Sequence, residues 1–158
     1  MSRTLKFVFI FCTISVLAFS QSKKEVKKTG VKQTTIVDVE NGKTLNKKKT
    51  VFDKNGETIE ETDYNKEGEV KTINKYTYND AGDVITEEEY SSKTKQTEKK
   101  VYKYNAGGLR TEELVYNTAG KLLKTHFYIY NDKGLKTERK TVDATGKTIC
   151  VRKYNYEY

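Results

Sequence analysis

Three stretches of this sequence are nearly identical: YTYNDAG at 76–82, YKYNAGG at 102–108 and YIYNDKG at 128–134. Each stretch begins 26 residues after the one before it. An internal repeat is the first feature to interpret, because the repeat unit decides the fold. The recurring segment is therefore either a functional site or a structural unit, and its residue types should distinguish these two possibilities.

Glycines extend the repeat along most of the chain. They recur at alternating intervals of 12 and 14 residues, provided that Thr94 stands where one glycine is expected. The glycines concerned are Gly42, Gly56, Gly68, Gly82, Gly108, Gly120, Gly134 and Gly146. Most follow an aromatic residue, then Asn or Asp, then two variable residues. Asn or Asp opens a tight turn by accepting backbone hydrogen bonds, and glycine tolerates positive φ. This spelling predicts a type I turn closed by a glycine bulge, a favoured hairpin connection.

The segments between the turns predict β-strands. They are 8–10 residues long and rich in Thr, Tyr, Val and Ile, which suits strands better than helices. The expected strands are 31–38, 43–52, 57–64, 69–78, 83–90, 95–104, 109–116, 121–130, 135–142 and 147–156. The fold class expected is therefore all-β: tandem β-hairpin repeats of 26-residue period forming an extended, twisted antiparallel meander sheet of about ten strands.

Charged residues alternate in sign from strand to strand with the period of the turns. The lysine-rich strand 43–52 precedes the acidic strand 57–64, and the acidic strand 83–90 precedes the lysine-rich strand 95–104. In a meander these strands are neighbours, so opposite charges can face each other, each pair contributing roughly 0.2–1 kcal/mol.

A set of apolar residues falls on the strand face opposite to the tyrosines, because side chains alternate between the faces. These residues are Leu45, Ile59, Ile73, Ile85, Leu123, Phe127, Ile129, Ile149 and Val151. Either both faces are partly buried, or bulges shift the alternation within strands. A sheet that curls upon itself or packs against another copy would bury both faces.

The N-terminus has the layout of a secretory signal peptide. Arg3 and Lys6 precede an apolar run from Phe7 to Phe19, and small residues lie just before Gln21. The run is shorter than the ~20 residues that span a bilayer. We expect a signal peptide at 1–20, a flexible lead-in at 21–30 and one β-repeat domain at 31–158, with no transmembrane segment after cleavage. The protein is accordingly expected in the periplasm or outside the cell.

The Tyr-Asn/Asp-x-x-Gly spelling resembles the tyrosine–aspartate (YD) repeats of large bacterial Rhs toxins and wall-associated proteins, over about 43–158. A fainter resemblance is to MORN-type repeats of antitoxin-like proteins. The YD resemblance implies long β-sheets and an association with carbohydrate binding. This chain departs from that family in having about four and a half repeats, too few to enclose a toxin, and no appended toxin segment.

The candidate ligand-binding residues are the tyrosine pairs that end the long strands. They are Tyr76 and Tyr78, Tyr102 and Tyr104, Tyr128 and Tyr130, and Tyr154 and Tyr156. Because long strands end at one edge of the sheet, these rings should form a ladder there. Its first role is packing, and lysines interleaved with it suit sugar stacking or an anionic polymer.

No catalytic, metal or cofactor site is expected. His126, the only histidine, has no nucleophile placed beside it by any motif. Cys150 is the only cysteine after residue 20, so it forms no internal disulfide; we expect a buried small side chain, with an intermolecular disulfide as the alternative. The glutamates recur in the short strands as pairing residues, and Asp53-Lys54-Asn55-Gly56 lacks the length of a calcium loop.

These features predict an exported, non-enzymatic β-repeat scaffold or binding module of the bacterial envelope, with glycan contact through the tyrosine ladder. The expected partner is cell-wall or extracellular glycan, or another exported protein. Nucleic acid is not an expected partner, because neighbouring acids balance most lysines. The alternative function is a small secreted or periplasmic protein-binding partner of a toxin, similar to an antitoxin or immunity protein.

Overall fold

A computed structural model describes residues 22–157, so the expected signal peptide lies outside the described residues. The described chain contains one short helix followed by ten strands. These are α1 (Lys23–Thr29), β1 (Gln33–Glu40), β2 (Lys43–Phe52), β3 (Thr58–Tyr64), β4 (Val70–Tyr78), β5 (Val84–Ser91), β6 (Gln96–Tyr104), β7 (Arg110–Tyr116), β8 (Leu122–Tyr130), β9 (Lys136–Asp143) and β10 (Thr148–Lys153).

All ten strands form one open antiparallel sheet in chain order, from β1 to β10. Each strand pairs with its neighbours in the sequence, as a meander requires. The predicted all-β hairpin-repeat fold is therefore confirmed.

The type of turn that the repeat predicts is also present in the structure. At the β3–β4 turn, the Asn65 side-chain oxygen accepts hydrogen bonds from the backbone N–H groups of Glu67 and Glu69, at 3.1 and 2.8 Å. The Gly68 N–H donates to the Asn65 carbonyl, and Gly68 has a φ of 84°. A register shift next to Tyr64 is the accompanying bulge. Asp53, Asn105, Asn117, Asn131 and Asp143 accept the same two hydrogen bonds, and Asn79 accepts the second of them.

Two turns depart from this pattern. Asn41 and Gly42 both have positive φ, 51° and 74°, as a two-residue type I′ hairpin turn requires. This tighter turn lets β1 run to Glu40, two residues beyond the expected end. In the β5–β6 turn the positive φ, 54°, falls on Lys95, so Thr94 does not replace the missing glycine.

Most of the predicted lead-in forms the helix α1, Lys23–Thr29. Ser22 caps α1 through a capping box with Glu25, Gly30 ends the helix in the left-handed conformation, and Val26 is 1% exposed. The helix lies against the β2–β3 turn, where Lys23 also forms an ion pair with Glu57. The Ser-x-x-Glu spelling is a capping signal. No helix within residues 22–157 has the length and apolar character needed to cross a membrane.

Gly56 allows α1 to pack closely, and this leads to a prediction. A Cβ at Gly56 would lie 2.5 Å from the Lys23 carbonyl oxygen, whereas a Cβ at Gly134 meets nothing within 4 Å. Both glycines have similar positive φ, 79° and 74°, so an alanine at either position is strained by about 1–3 kcal/mol. We expect Gly56→Ala to lower the Tm more than Gly134→Ala and to expose α1 to limited proteolysis. Equal Tm losses with an equally protected helix would contradict this packing.

Opposite charges face each other across neighbouring strands, as predicted. Lys48 contacts Glu61 at 2.9 Å, Lys99 contacts Glu88 at 3.0 Å and Lys103 contacts Glu112 at 2.7 Å. These pairs are partly exposed, so each contributes on the order of 0–1 kcal/mol and serves mainly to fix the strand neighbours.

The sheet has no second layer within the described residues, and buried side chains are few. The buried sheet residues are Thr62, Tyr102, Val115, Thr125, Thr141 and Val142. Most of the apolar residues on the opposite face remain exposed, including Phe127 at 37% and Ile129 at 52%. Bulges accompany the hairpin turns, but the open sheet leaves this apolar face uncovered.

Candidate functional site

The tyrosine pairs lie together at one edge of the sheet. Three pairs end β4, β6 and β8, and the fourth pair, Tyr154 and Tyr156, follows directly after β10. The fourth pair thus lies outside the strand in which it was expected. The pairs repeat every second strand, so equivalent rings of successive repeats lie about 9–10 Å apart.

The outer tyrosine of each pair is bonded to the main chain. The hydroxyls of Tyr78, Tyr104, Tyr130 and Tyr156 donate to the carbonyl oxygens of Thr58, Val84, Arg110 and Lys136, at 2.6, 2.7, 2.8 and 2.8 Å. Each acceptor is the first residue of the preceding short strand, 20 residues earlier. These hydroxyls therefore tie each long strand to its neighbour and have a fixed structural partner.

The inner tyrosine of the first three pairs donates to a carboxylate. Tyr76 reaches Glu61 at 3.5 Å, Tyr102 reaches Glu87 at 2.5 Å and Tyr128 reaches Glu113 at 2.6 Å. Cross-strand pairing places Tyr76 opposite Glu87 and Tyr102 opposite Glu113. We call the resulting line of side chains the acid–tyrosine row. Its members from β3 onward are Glu61, Tyr76, Glu87, Tyr102, Glu113, Tyr128, Arg139 and Tyr154.

Burial and the adjacent carboxylates keep these tyrosines protonated. Burial, with the charges of Glu61 and Glu87, raises the pKa of Tyr76 to about 12. Burial and nearby acids raise the pKa of Tyr78 to about 12 as well. The pKa of Tyr102 is raised by burial and by its hydrogen bond to Glu87. These hydroxyls are therefore hydrogen-bond donors throughout the neutral pH range.

The best-connected part of the row surrounds Glu87. Its carboxylate accepts hydrogen bonds from Tyr102 and from Lys100, the latter at 2.9 Å. Burial opposes ionisation of Glu87, but these two bonds outweigh it and hold its pKa below the ordinary value. Burial likewise opposes the charge of Lys100, yet the bond to Glu87 raises the pKa of the ammonium group. The cluster is a charge-assisted network inside the sheet rather than an acid–base pair.

Cations cover several of the rings. The Arg110 guanidinium lies 3.7 Å from the centroid of the Tyr102 ring, and Lys136 lies 4.3 Å from that of Tyr128. Tyr102 is only 6% exposed. A sugar ring therefore has no open face on which to stack at Tyr102. The ladder instead presents positive groups held over aromatic rings, which suits an anionic ligand.

The glutamates of the row were not singled out from the sequence. Glu61, Glu87 and Glu113 recur at the same 26-residue interval as the tyrosines, so the signal was available. The fourth position of that series is Arg139, which breaks the pattern.

His126 and Cys150 both lie on the same face as the acid–tyrosine row. The His126 Nδ1 atom is 2.7 Å from the Thr141 hydroxyl. Burial lowers the pKa of His126. The negative charge of Glu113 opposes this shift, and the positive charges of Arg139 and Lys124 add to it. Cys150 is exposed, so the expected burial is wrong: β10 is an edge strand, and nothing in the described chain covers it. Its sulfur is accessible.

The likeness of this chain to known proteins is limited. No protein-family model matches it, and no curated protein matches it. Among solved structures, a Tc holotoxin pore of Photorhabdus luminescens with a TccC3 variant matches at 10% identity and a TM-score of 0.24, over 75% of this chain and 9% of that chain. The TcdB2–TccC3–Cdc42 complex matches at 12% identity and a TM-score of 0.25, over 74% and 9%.

This chain therefore spans about a tenth of the toxin chains that it matches. Matches at these TM-scores carry no argument, and the fold rests on the strand pairing described above. The chain is a β-sheet repeat protein.

Proposed function

We propose that this protein is an exported, non-enzymatic binding module of the bacterial envelope that holds an extended glycan along its tyrosine face. The observation that carries the proposal is the regular ladder with cations held over its rings. Its repeat distance of about 9–10 Å is comparable with the disaccharide unit of an extended polysaccharide. A polymer of that kind can place equivalent sugars against successive repeats, so weak contacts add along the sheet.

The positive groups over the rings favour glycans that carry negative charge. Arg110 and Lys136 occupy equivalent positions, 26 residues apart, and each lies over an inner tyrosine. Each extends over the ring from the start of a short strand, β7 or β9. Contact with such a ligand would be mainly electrostatic and hydrogen-bonded, and it should weaken at high salt.

Affinity electrophoresis in gels containing β-linked polysaccharides, neutral and acidic, tests this function. The double variant Arg110→Met and Lys136→Met keeps the apolar stems but removes both charges over the rings. We expect it to lose about tenfold or more in affinity. Lys140→Met is the matched control, because Lys140 is exposed and lies on the opposite face, across from Phe127. The absence of binding to every polysaccharide would overturn the proposed function, as would equal losses in the two variants.

A second candidate function is capture of another exported protein, and a separate observation favours it. Phe127, Ile129 and Val151 are exposed on the face opposite to the tyrosines, in β8 and β10. Lys140 and Lys153 are exposed among them. Glu112 and Glu138 lie beside the same apolar residues, so the patch fits an exported partner that has an apolar surface with a charged rim. Stoichiometric co-purification lost in Phe127→Ser but retained in the Arg110 and Lys136 double variant would favour this function.

A further inference from the structure

The acid–tyrosine row changes character at its last repeat. Positions 61, 87, 113 and 139 are equivalent, and the first three are glutamates whereas the fourth is Arg139. Each glutamate accepts a hydrogen bond from the tyrosine 15 residues later. The corresponding tyrosine of the last repeat is Tyr154, and its hydroxyl makes no hydrogen bond within residues 22–157. The last repeat thus has the tyrosine donor but lacks the carboxylate that accepts its hydrogen bond in the three preceding repeats.

Arg139 also lacks an acid partner. Within the described chain it makes no ion pair, and its Nε atom is buried without a hydrogen-bond partner. Buried donors of this kind are rare because leaving them unpaired is costly. Arg139 lies across from Tyr128 on one side and from Arg152 on the other, and Lys136 lies 6.0 Å from the Tyr154 ring. Two arginines, a lysine and a tyrosine hydroxyl without a hydrogen bond in the described chain are therefore neighbours on this face of the last repeat.

The preceding acid does not compensate these charges. Glu113 is already bonded to Tyr128 at 2.6 Å, and Arg110 lies 3.7 Å from the same oxygen. Glu138 is the neighbour of Arg139 in β9, but adjacent residues of a strand point to opposite faces, and Glu138 lies across from Ile129 and Lys153. Within residues 22–157, no carboxylate forms an ion pair with Lys136, Arg139 or Arg152.

We propose that Arg139, Arg152 and Tyr154 form a binding site for a single acidic group of a ligand, which takes the place of the glutamate present in the other repeats. A guanidinium group presents parallel N–H donors that match a carboxylate, a sulfate or a phosphate. Glu87 and Glu113 show that a carboxylate fits between two successive tyrosines of this row. If the proposed glycan function holds, the acidic group is a uronic acid, sulfate or phosphate substituent of the polysaccharide; only this identity of the ligand rests on that function.

The site can be tested with small anions independently of any glycan. In the NMR spectrum, the Nε–Hε signals of Arg139 and Arg152 should shift on titration with glucuronate, inorganic sulfate and inorganic phosphate, with glucose as the neutral control. The three anions distinguish a carboxylate site from a sulfate or phosphate site. Unchanged signals with all three anions would overturn the site.

The decisive variant is Arg139→Glu, which restores the repeat's own acid. We expect it to abolish the anion-dependent shifts and to raise the Tm, because the Tyr154 hydroxyl and Arg152 gain an internal carboxylate. Lys140→Glu makes the same charge change on the opposite face and should do neither. Retention of anion binding in Arg139→Glu, or its loss in Lys140→Glu, would overturn the site.

Binding of oligosaccharides distinguishes the anion site at Arg139 from the proposed glycan function. Acidic oligosaccharides should bind about tenfold more tightly than neutral ones of equal length, and Arg139→Glu should reduce that difference although Arg110 and Lys136 remain in place. A preference for acidic oligosaccharides that is the same in Arg139→Glu as in the unmodified protein would overturn the site and leave the glycan function standing. Shifts with small anions, without binding of any oligosaccharide, would support the site and overturn the glycan function.

Discussion

Tyr102→Ala is expected to lower the free energy of unfolding by about 3–5 kcal/mol. Tyr102 is the most deeply buried aromatic residue described in this single-layer sheet, at 6% exposure. Its ring packs under Arg110, and its hydroxyl donates to Glu87 at 2.5 Å. Small domains are stable by about 5–15 kcal/mol, so this one substitution removes a large share. Urea denaturation followed by circular dichroism measures the loss.

Two further variants separate the ring from the hydroxyl. Tyr102→Phe keeps the ring and removes the donor to a charged acceptor, so it should cost about 1.5–3 kcal/mol. Tyr156→Ala removes a tyrosine of the same ladder that is 43% exposed, and it should cost less than Tyr102→Ala. If Tyr102→Ala and Tyr156→Ala destabilise equally, burial within the acid–tyrosine row does not stabilise the sheet.

Alkaline pH is expected to unfold this protein as its buried tyrosines ionise. The pKa values of Tyr76 and Tyr78 are about 12 in the folded protein, against 10.0 for an ordinary tyrosine. A pKa raised on folding means that the neutral hydroxyl stabilises the fold. That stabilisation is complete below pH 10 and is lost as the pH rises toward about 12. Burial and the bond to Glu113 raise the pKa of Tyr128 too, so several tyrosines act together.

The measurement is urea denaturation at a series of alkaline pH values, with tyrosinate absorbance recorded in parallel. We expect Tyr76, Tyr78, Tyr102 and Tyr128, whose pKa values are raised, to ionise together with loss of the strand signal. Glu87→Gln removes the carboxylate that opposes ionisation of Tyr102, so the absorbance of that variant should rise at lower pH. A single ionisation of all twelve tyrosines near pH 10 in a protein that stays folded would contradict the raised pKa values.

Local turn chemistry explains why so much of the fold could be predicted. Asn65 and Gly68 lie within four consecutive residues, so these residue types at this spacing specify a turn without any distant contact. Once the turns are known, the strands between them are short enough that β2 through β9 differ from expectation by at most one residue at either end. The capping box of Ser22 and Glu25 is an equally local signal, and it was overlooked.

The partners within the sheet are less predictable, because they depend on register. Tyr102 reaches Glu87 over 15 residues and Tyr104 reaches the Val84 carbonyl over 20 residues. A one-residue slip would move every side chain to the opposite face. A bulge next to every hairpin turn except β5–β6 changes the pairing by one residue, so the partner of a tyrosine cannot be counted from the turn residues alone. For the same reason, the sequence did not predict that Arg139 occupies the position that a glutamate holds in the other repeats.

The amino-acid sequence by itself determined the hairpin repeat, the order of the ten strands and the placement of the tyrosine pairs at one edge. It did so because glycine, asparagine and strand-forming residues act on their nearest neighbours. Only the tertiary structure decided that Glu61, Glu87 and Glu113 receive the inner hydroxyls, that Arg139 interrupts this series, and that α1 packs on Gly56. The physical reason is that these contacts join separate strands and turns, and their distances exist only after the bulges have set the register of the sheet.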